Sequence, residues 1–178
     1  MKPETASSLT IRNAAAEDLP ALVALSRKTF SDKFAHLYNP EDLADFLDES
    51  HSEAVYRNWL ADPENLIRVA EHPDGTLVAY LLCSKLSLPA QEPKSGAVEL
   101  KRVYVDASLQ GHGLGSRFIR EAIDWARARQ APEMYLSVFS GNPEAQRLYT
   151  RLGWEKVGEF IFPVGRHRDL EYLFRLRL

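Results

Sequence analysis

The chain has 178 residues, 45% of them apolar and 26% charged, which is the balance of an ordinary globular domain and leads us to expect one domain over 1–178. Its net charge of −3 gives no general pull toward nucleic acid or an anionic membrane, and its one cysteine, Cys83, excludes an intrachain disulfide framework. No apolar run is long enough to span a bilayer, and Met1 to Thr10 lacks the apolar centre of a signal peptide, so a cytoplasmic protein is expected.

In chain order, Ile11 and Arg12 suggest a short first strand. Asp18 to Phe30 carries Leu19, Leu22, Val23, Ser26 and Phe30 at helical spacing. Asn39-Pro40-Glu41-Asp42 starts a helix, with Asn as N-cap, Pro at the first position and acids in the first turn. Leu43, Phe46 and Leu47 form its apolar stripe, and Ser52 to Leu60 reads as a further helix. Strands over Leu66–Glu71 and Thr76–Ser84 flank the turn Pro73-Asp74-Gly75. Cys83 sits in the second of these, where a small buried hydrophobe is the natural reading. After a polar loop come a strand over Ala97–Val105, a glycine-rich turn, and a helix over Ser116 to Gln130. Met134–Phe139 is a short strand, and Asn142-Pro143 starts a helix ending near Leu152-Gly153. Trp154–Phe162 and Leu170–Leu178 complete the chain as strands; strict alternation of Leu170, Tyr172, Phe174, Leu176 and Leu178 predicts one buried face. The order implies a mixed, mostly antiparallel α/β sheet with helices on both faces.

The glycine-rich turn, Gln110-Gly111-His112-Gly113-Leu114-Gly115, is the most informative stretch. Between a strand and a helix, such a turn aims backbone N–H groups and the positive end of the helix dipole at one point, a natural site for phosphate. Glycine lets the backbone approach an anion and adopt φ > 0. A P-loop is excluded because no lysine follows, and the dinucleotide fingerprint fails because its last glycine would fall on Ser116. The pattern Q/R-x-x-G-x-G/A fits, with Gln110, Gly113 and Gly115 in place. A glycine-rich turn with no ligand is the plainer alternative for the motif alone.

This pattern on a strand–loop–helix resembles the pyrophosphate loop of the GNAT N-acetyltransferase superfamily, and the order of elements resembles that fold over nearly the whole chain. The resemblance implies acetyl-coenzyme A as cosubstrate and an amine as acceptor. Its pyrophosphate would sit on the amides of Gly111, His112, Gly113, Leu114, Gly115 and Ser116, and its pantetheine arm along the backbone of Val103, Tyr104 and Val105. Asn142-Pro143-Glu144-Ala145-Gln146-Arg147-Leu148-Tyr149 resembles the family segment carrying a cofactor-contacting Asn and a tyrosine acid. That makes Asn142 a candidate cofactor contact and Tyr149 a candidate proton donor to the leaving thiolate; helix capping and aromatic packing are the respective structural alternatives. Some members place a basic glutamate eleven residues ahead of the motif glutamine, which here is Glu99. Its alternative is a strand charge paired with Lys101. His36, His51, His72 and His167 have no metal-ligand spacing, so no metal is expected.

The acceptor is read from the N-terminal half. Thr29-Phe30-x-x-x-Phe34, Asn39-Pro40-Glu41-Asp42-Leu43 and the tail from Phe162 to Asp169 resemble PaiA-like spermine/spermidine acetyltransferases. Phe30, Phe34 and Tyr38 are the expected acceptor contacts. Glu41, Asp42, Asp45, Asp48, Glu49 and Glu53 form either an acidic rim for a polycation or the solvated face of a helix. A small-molecule amine is the expected partner, with no nucleic acid or membrane, and a homodimer stays open. The alternatives are a non-catalytic acetyl-coenzyme A-binding regulator, or an enzyme acting on a protein N-terminus, a lysine or an antibiotic amine.

Overall fold

The structure, a computed structural model, describes residues 8–178; most of the segment Met1 to Thr10 lies outside them. The elements run β1 (Thr10–Asn13), α1 (Leu19–Phe34), α2 (Pro40–Ser50), α3 (Glu53–Ala61), β2 (Leu66–Glu71), β3 (Leu77–Lys85) and β4 (Val98–Val105). They continue with α4 (Leu114–Ala128), β5 (Glu133–Phe139), α5 (Pro143–Arg151), β6 (Glu155–Val164) and β7 (His167–Arg177). Helix starts follow the capping chemistry: the side chain of Asn39 accepts from the Glu41 N–H, Ser52 from Val55 and Asn142 from Ala145.

One seven-stranded sheet forms in the order β1-β2-β3-β4-β5-β7-β6. Every neighbouring pair is antiparallel except β4 and β5, which are parallel and joined through α4. A parallel pair needs such a crossover, and the crossover lays α4 on one face of the sheet. There Phe118, Ile119 and Ala122 pack with Leu81, Cys83, Leu100 and Leu136. On the other face, Leu22 and Leu25 of α1 and Tyr56 of α3 pack with Val69, Tyr80 and Leu82. β3 therefore feeds both cores and is buried along nearly its whole length. Burying one leucine- or phenylalanine-sized side chain here contributes about 1.5–3 kcal/mol. Cys83 is fully buried, and desolvation pushes its thiol well above the ordinary range, so it is inert as a nucleophile.

Several boundaries differ from expectation, and α1 runs on to Phe34 rather than ending at Phe30. Helix α4 starts at Leu114 rather than Ser116, because Gly113 (φ +80°) turns the chain directly into it. It stops at Ala128, and the exit passes through Gln130 at φ +57°. β6 and β7 run on to Val164 and back from His167, closing the hairpin at Gly165-Arg166 where a longer loop was expected. Pro163 is tolerated because β6 is an edge strand. The single buried face expected for the last strand is also corrected: Asp169, covered by Tyr38 from the turn after α1, and Leu173 on the other face are buried along with Phe174.

Candidate active site

β4 and β5 pair only at Val98–Met134 and Glu99–Tyr135. Beyond those positions β4 keeps β3 as neighbour and β5 keeps β7, so the two strands part. A register shift between Leu82 and Cys83, opposite Leu100 and Arg102, leaves Lys101 as an extra residue in β4 and helps re-aim the strand. The gap opens into a cleft of about 1010 Å³. That is at the upper end of the roughly 300–1,000 Å³ usual for one bound molecule, so there is room for a large cofactor and a second reactant.

Backbone lines one arm of this cleft. Val103, Tyr104 and Val105 line it on the side where β4 has lost β5, so peptide groups facing that way can pair with an extended amide-bearing arm. Gln110 donates from Nε2 to the Val105 carbonyl at 3.2 Å, tying the turn to the end of β4. Gly111 and Gly113 both have positive φ, at +82° and +80°. The first intrahelical bond of α4 runs from Arg117 N–H to the Gly113 carbonyl, which leaves the amides of Leu114, Gly115 and Ser116 without a helical partner. A Cβ built at Gly111, Gly113 or Gly115 would meet nothing within 4 Å, so bare backbone faces open space there. This is a cradle for an anion, and the residues present fit a diphosphate. His112 is exposed and its side chain does not line the cleft.

Tyr149 and Asn142 face the same cleft from α5. Burial alone pushes the Tyr149 phenol up to about 12, so it is protonated at neutral pH. Its ring packs on Trp154 and Phe174. Asn142 spends its Oδ1 on the cap and keeps its amide N–H groups for the cleft. Glu99 also lines the cleft, but its carboxylate is occupied. Oε2 accepts from the Ser87 N–H and hydroxyl, both at 2.8 Å, and from the Leu88 N–H at 3.2 Å. Oε1 accepts from Lys101 Nζ at 3.0 Å.

Side chains from distant elements build the other arm. Phe30, Phe34 and Tyr38 line it, with Phe30 5.0 Å from Phe34 and 6.1 Å from Tyr38 between ring centroids. Tyr38 donates to Asp169 Oδ2 at 2.5 Å, and burial with that bond raises its phenol far above the ordinary range. Arg102 donates to the Tyr56 hydroxyl at 2.6 Å and the Ser50 carbonyl at 3.0 Å, and lies 4.8 Å over the Trp59 ring. Burial first, then the charge of Arg102, pushes His51 down to about 2, so His51 is neutral.

A profile of the acetyltransferase (GNAT) family matches residues 31–154. The chain belongs to this family. An N-acetyltransferase from the pepI 3′ region of Lactobacillus delbrueckii subsp. lactis is 28% identical, covering 91% of this chain and 93% of that one. The spermine/spermidine N(1)-acetyltransferase of Bacillus subtilis is 33% identical, over 50% of this chain and 59% of its own. The N-alpha-acetyltransferase RimI of Mycobacterium tuberculosis is 35% identical over 62% and 65%. In fold, the chain is similar to PaiA N-acetyltransferase from Thermoplasma acidophilum, solved with coenzyme A: TM-score 0.77, 19% identity, 96% and 99% covered. As a GNAT N-acetyltransferase the protein is an enzyme that uses acetyl-coenzyme A.

Two groups in this GNAT cleft were not anticipated from sequence, Asp169 and Glu171 of β7. Burial first, then Asp169, pushes the Glu171 carboxyl up to about 7, against a lowering bond from Ser137. No local signal marks them, because they alternate with Leu170, Tyr172 and Phe174 and so read as the outward face of the last strand. The acidic rim is corrected. None of Glu41, Asp42, Asp45, Asp48, Glu49 or Glu53 lines the cleft. Asp48 pairs with Arg27, Glu53 with Arg57, and Asp42 accepts from the Arg166 N–H in the β6–β7 turn, so this is the outward face of α2 and its flank.

Proposed function

We propose that the enzyme moves the acetyl group of acetyl-coenzyme A to a polyamine-like primary amine by direct attack within a ternary complex. The observation that carries the acyl-transfer part is the parting of β4 and β5 above a bare glycine cradle. The diphosphate sits on the Gly111–Ser116 amides, the pantetheine arm pairs with Val103–Val105, and Asn142 donates to the cofactor from its free amide. Backbone donors polarise the thioester carbonyl. Tyr149 supplies a proton to the departing sulfur; the dry surroundings that keep the phenol protonated also disfavour a bare thiolate there.

The acceptor assignment rests on an aromatic wall with carboxylates at both ends. Phe30, Phe34 and Tyr38 offer apolar surface to methylene spacers, with Asp32 and Glu144 at the exposed rim and Asp169 and Glu171 further in. Lys33 shares that rim, where burial lowers its ammonium pKa. Similarity to a spermine/spermidine acetyltransferase supports this reading, and similarity to RimI favours a protein N-terminus instead. Thiol release from acetyl-coenzyme A with spermidine, a neutral-tailed monoamine and an alanine-terminated peptide separates the two. Spermidine should lead in kcat/KM by at least about tenfold, with a KM that rises with ionic strength. A peptide that leads by that margin overturns the polyamine reading.

A further inference from the structure

An alkylammonium has a pKa of about 10, so an acetyl acceptor at neutral pH must lose a proton before it can attack. Glu99 is poorly placed to take it, because its carboxylate is already committed to holding the loop after β3: Oε2 accepts from Ser87 and Leu88, and Oε1 from Lys101. We infer that Glu171 is the proton acceptor for the incoming ammonium, an inference that rests on the acetyl-transfer reading above. Glu171 stands opposite Phe139 at the end of β5, where β5 has left β4, and it lines the cleft. Among the described residues no Lys, Arg or His nitrogen lies within 4 Å of its carboxylate. The groups facing it are Asp169 on its own strand, Ser137 from β5, Tyr38 from the turn after α1 and Tyr104 from β4. His167 acts one step removed, with Nε2 2.9 Å from Asp169 Oδ1. Tyr104 feels both Glu171 and Tyr149, so the proposed base and acid both lie near one residue of the cleft. Poise near neutrality, at about 7, suits a base that must be free at working pH and still hold a proton.

The balance is simple. The Glu171 carboxylate takes one proton from R–NH3+, the freed amine attacks the thioester carbon, the C–N bond forms and the C–S bond breaks. The sulfur receives the Tyr149 proton, Tyr149 is restored by the second proton leaving nitrogen, and Glu171 releases the first to water. The products are the acetamide, coenzyme A thiol and one proton.

The test compares wild type, Glu171→Gln, Glu171→Asp and Glu99→Gln with spermidine and n-butylamine between pH 5.5 and 9.5. Wild-type kcat/KM should rise with pH through a limb near 7, since the carboxylate is the active form. Glu171→Gln should lose that limb, fall roughly 10²- to 10⁴-fold at pH 7.5, and recover toward high pH as free amine accumulates. Coenzyme A affinity by calorimetry should be unchanged. Glu171→Asp should keep the limb at a reduced rate, which guards against a misfolded Gln variant. Retention of the limb and of kcat in a folded Glu171→Gln protein overturns the inference. So does a rise in amine KM alone, or loss of the limb in Glu99→Gln instead. Wild type inactive on both amines overturns the small-amine acceptor reading, and this inference with it.

Discussion

The two arms of the cleft are made of different material. The arm proposed for the cofactor is backbone: two positive-φ glycines, the opening turn of α4, and a stretch of β4 that has lost its neighbour. The acceptor arm is side chain, drawn from α1, the turn after it, β4 and β7. A backbone site is written locally, in six consecutive residues, because N–H groups need only the right dihedrals to converge. A side-chain site exists only once segments 131 residues apart are brought together, as Tyr38 in the turn after α1 and Asp169 in β7 are. The first can be recognised in a sequence; the second has to be seen folded.

Breaking the backbone arm should have the largest effect. Gly115 is the cleanest place, since its φ is ordinary and a Cβ there meets open space, whereas an aspartate at Gly113 would also strain the left-handed turn. Gly115→Asp adds an acid that a helix N-terminus tolerates well, yet sets its charge against the diphosphate. Coenzyme A affinity should fall by about 2–4 kcal/mol, roughly 30- to 1,000-fold, with the melting temperature unchanged. Calorimetry beside a thermal melt checks both.

Tyr149→Phe, which removes one hydroxyl from a buried ring, should act on turnover rather than on affinity. With chemistry rate-limiting, kcat should drop roughly 10- to 10⁴-fold while cofactor affinity holds. Full kcat in that variant makes Tyr149 a packing residue against Trp154 and Phe174.

The acceptor arm should also show effects on stability and KM, beside the rate loss expected of Glu171. Glu171 has a folded pKa raised from 4.5 to about 7, so its carboxylate weakens the fold as pH rises through that range and does nothing below it. Glu171→Gln should therefore be more stable than wild type at pH 8, by about 2–3 kcal/mol at most, and equal at pH 4. Denaturant titrations at the two pH values give the difference directly. Tyr38→Phe leaves Asp169 without its hydroxyl donor and should raise the amine KM several-fold, consistent with about 1 kcal/mol for one such bond. Smallest of all is Asp45→Lys, a charge reversal on the outward face of α2, which should change spermidine kinetics by less than about twofold. A larger effect there would restore the acidic rim that the fold argues against.

How far the sequence could be read follows the same division. Helix starts at Asn39, Ser52 and Asn142 were legible because a cap is a contact between near neighbours. So was the mixed, mostly antiparallel character of the sheet, since the parallel pair comes from one strand–helix–strand unit. The tight β6–β7 hairpin was hidden by Pro163, which argues against a strand unless the strand is known to be an edge. Asp169 and Glu171 were hidden by the residues beside them: the alternation of Leu170, Tyr172 and Phe174 marks one face as apolar, and only the fold shows that the turn after α1 covers the opposite face too. The occupancy of Glu99 by Ser87 and Leu88 depends on a loop whose path no local pattern specifies.

The division between the arms can be observed at single residues. In amide-resolved NMR spectra, acetyl-coenzyme A titrated into the protein should shift the N–H signals of Gly111–Ser116 and Val103–Val105 most strongly, and those of α2 least. Desulfo-coenzyme A, which lacks the reacting sulfur, should move the Gly111–Ser116 set equally. Large shifts confined to α2 or β6, with the glycine turn unmoved, would contradict the account.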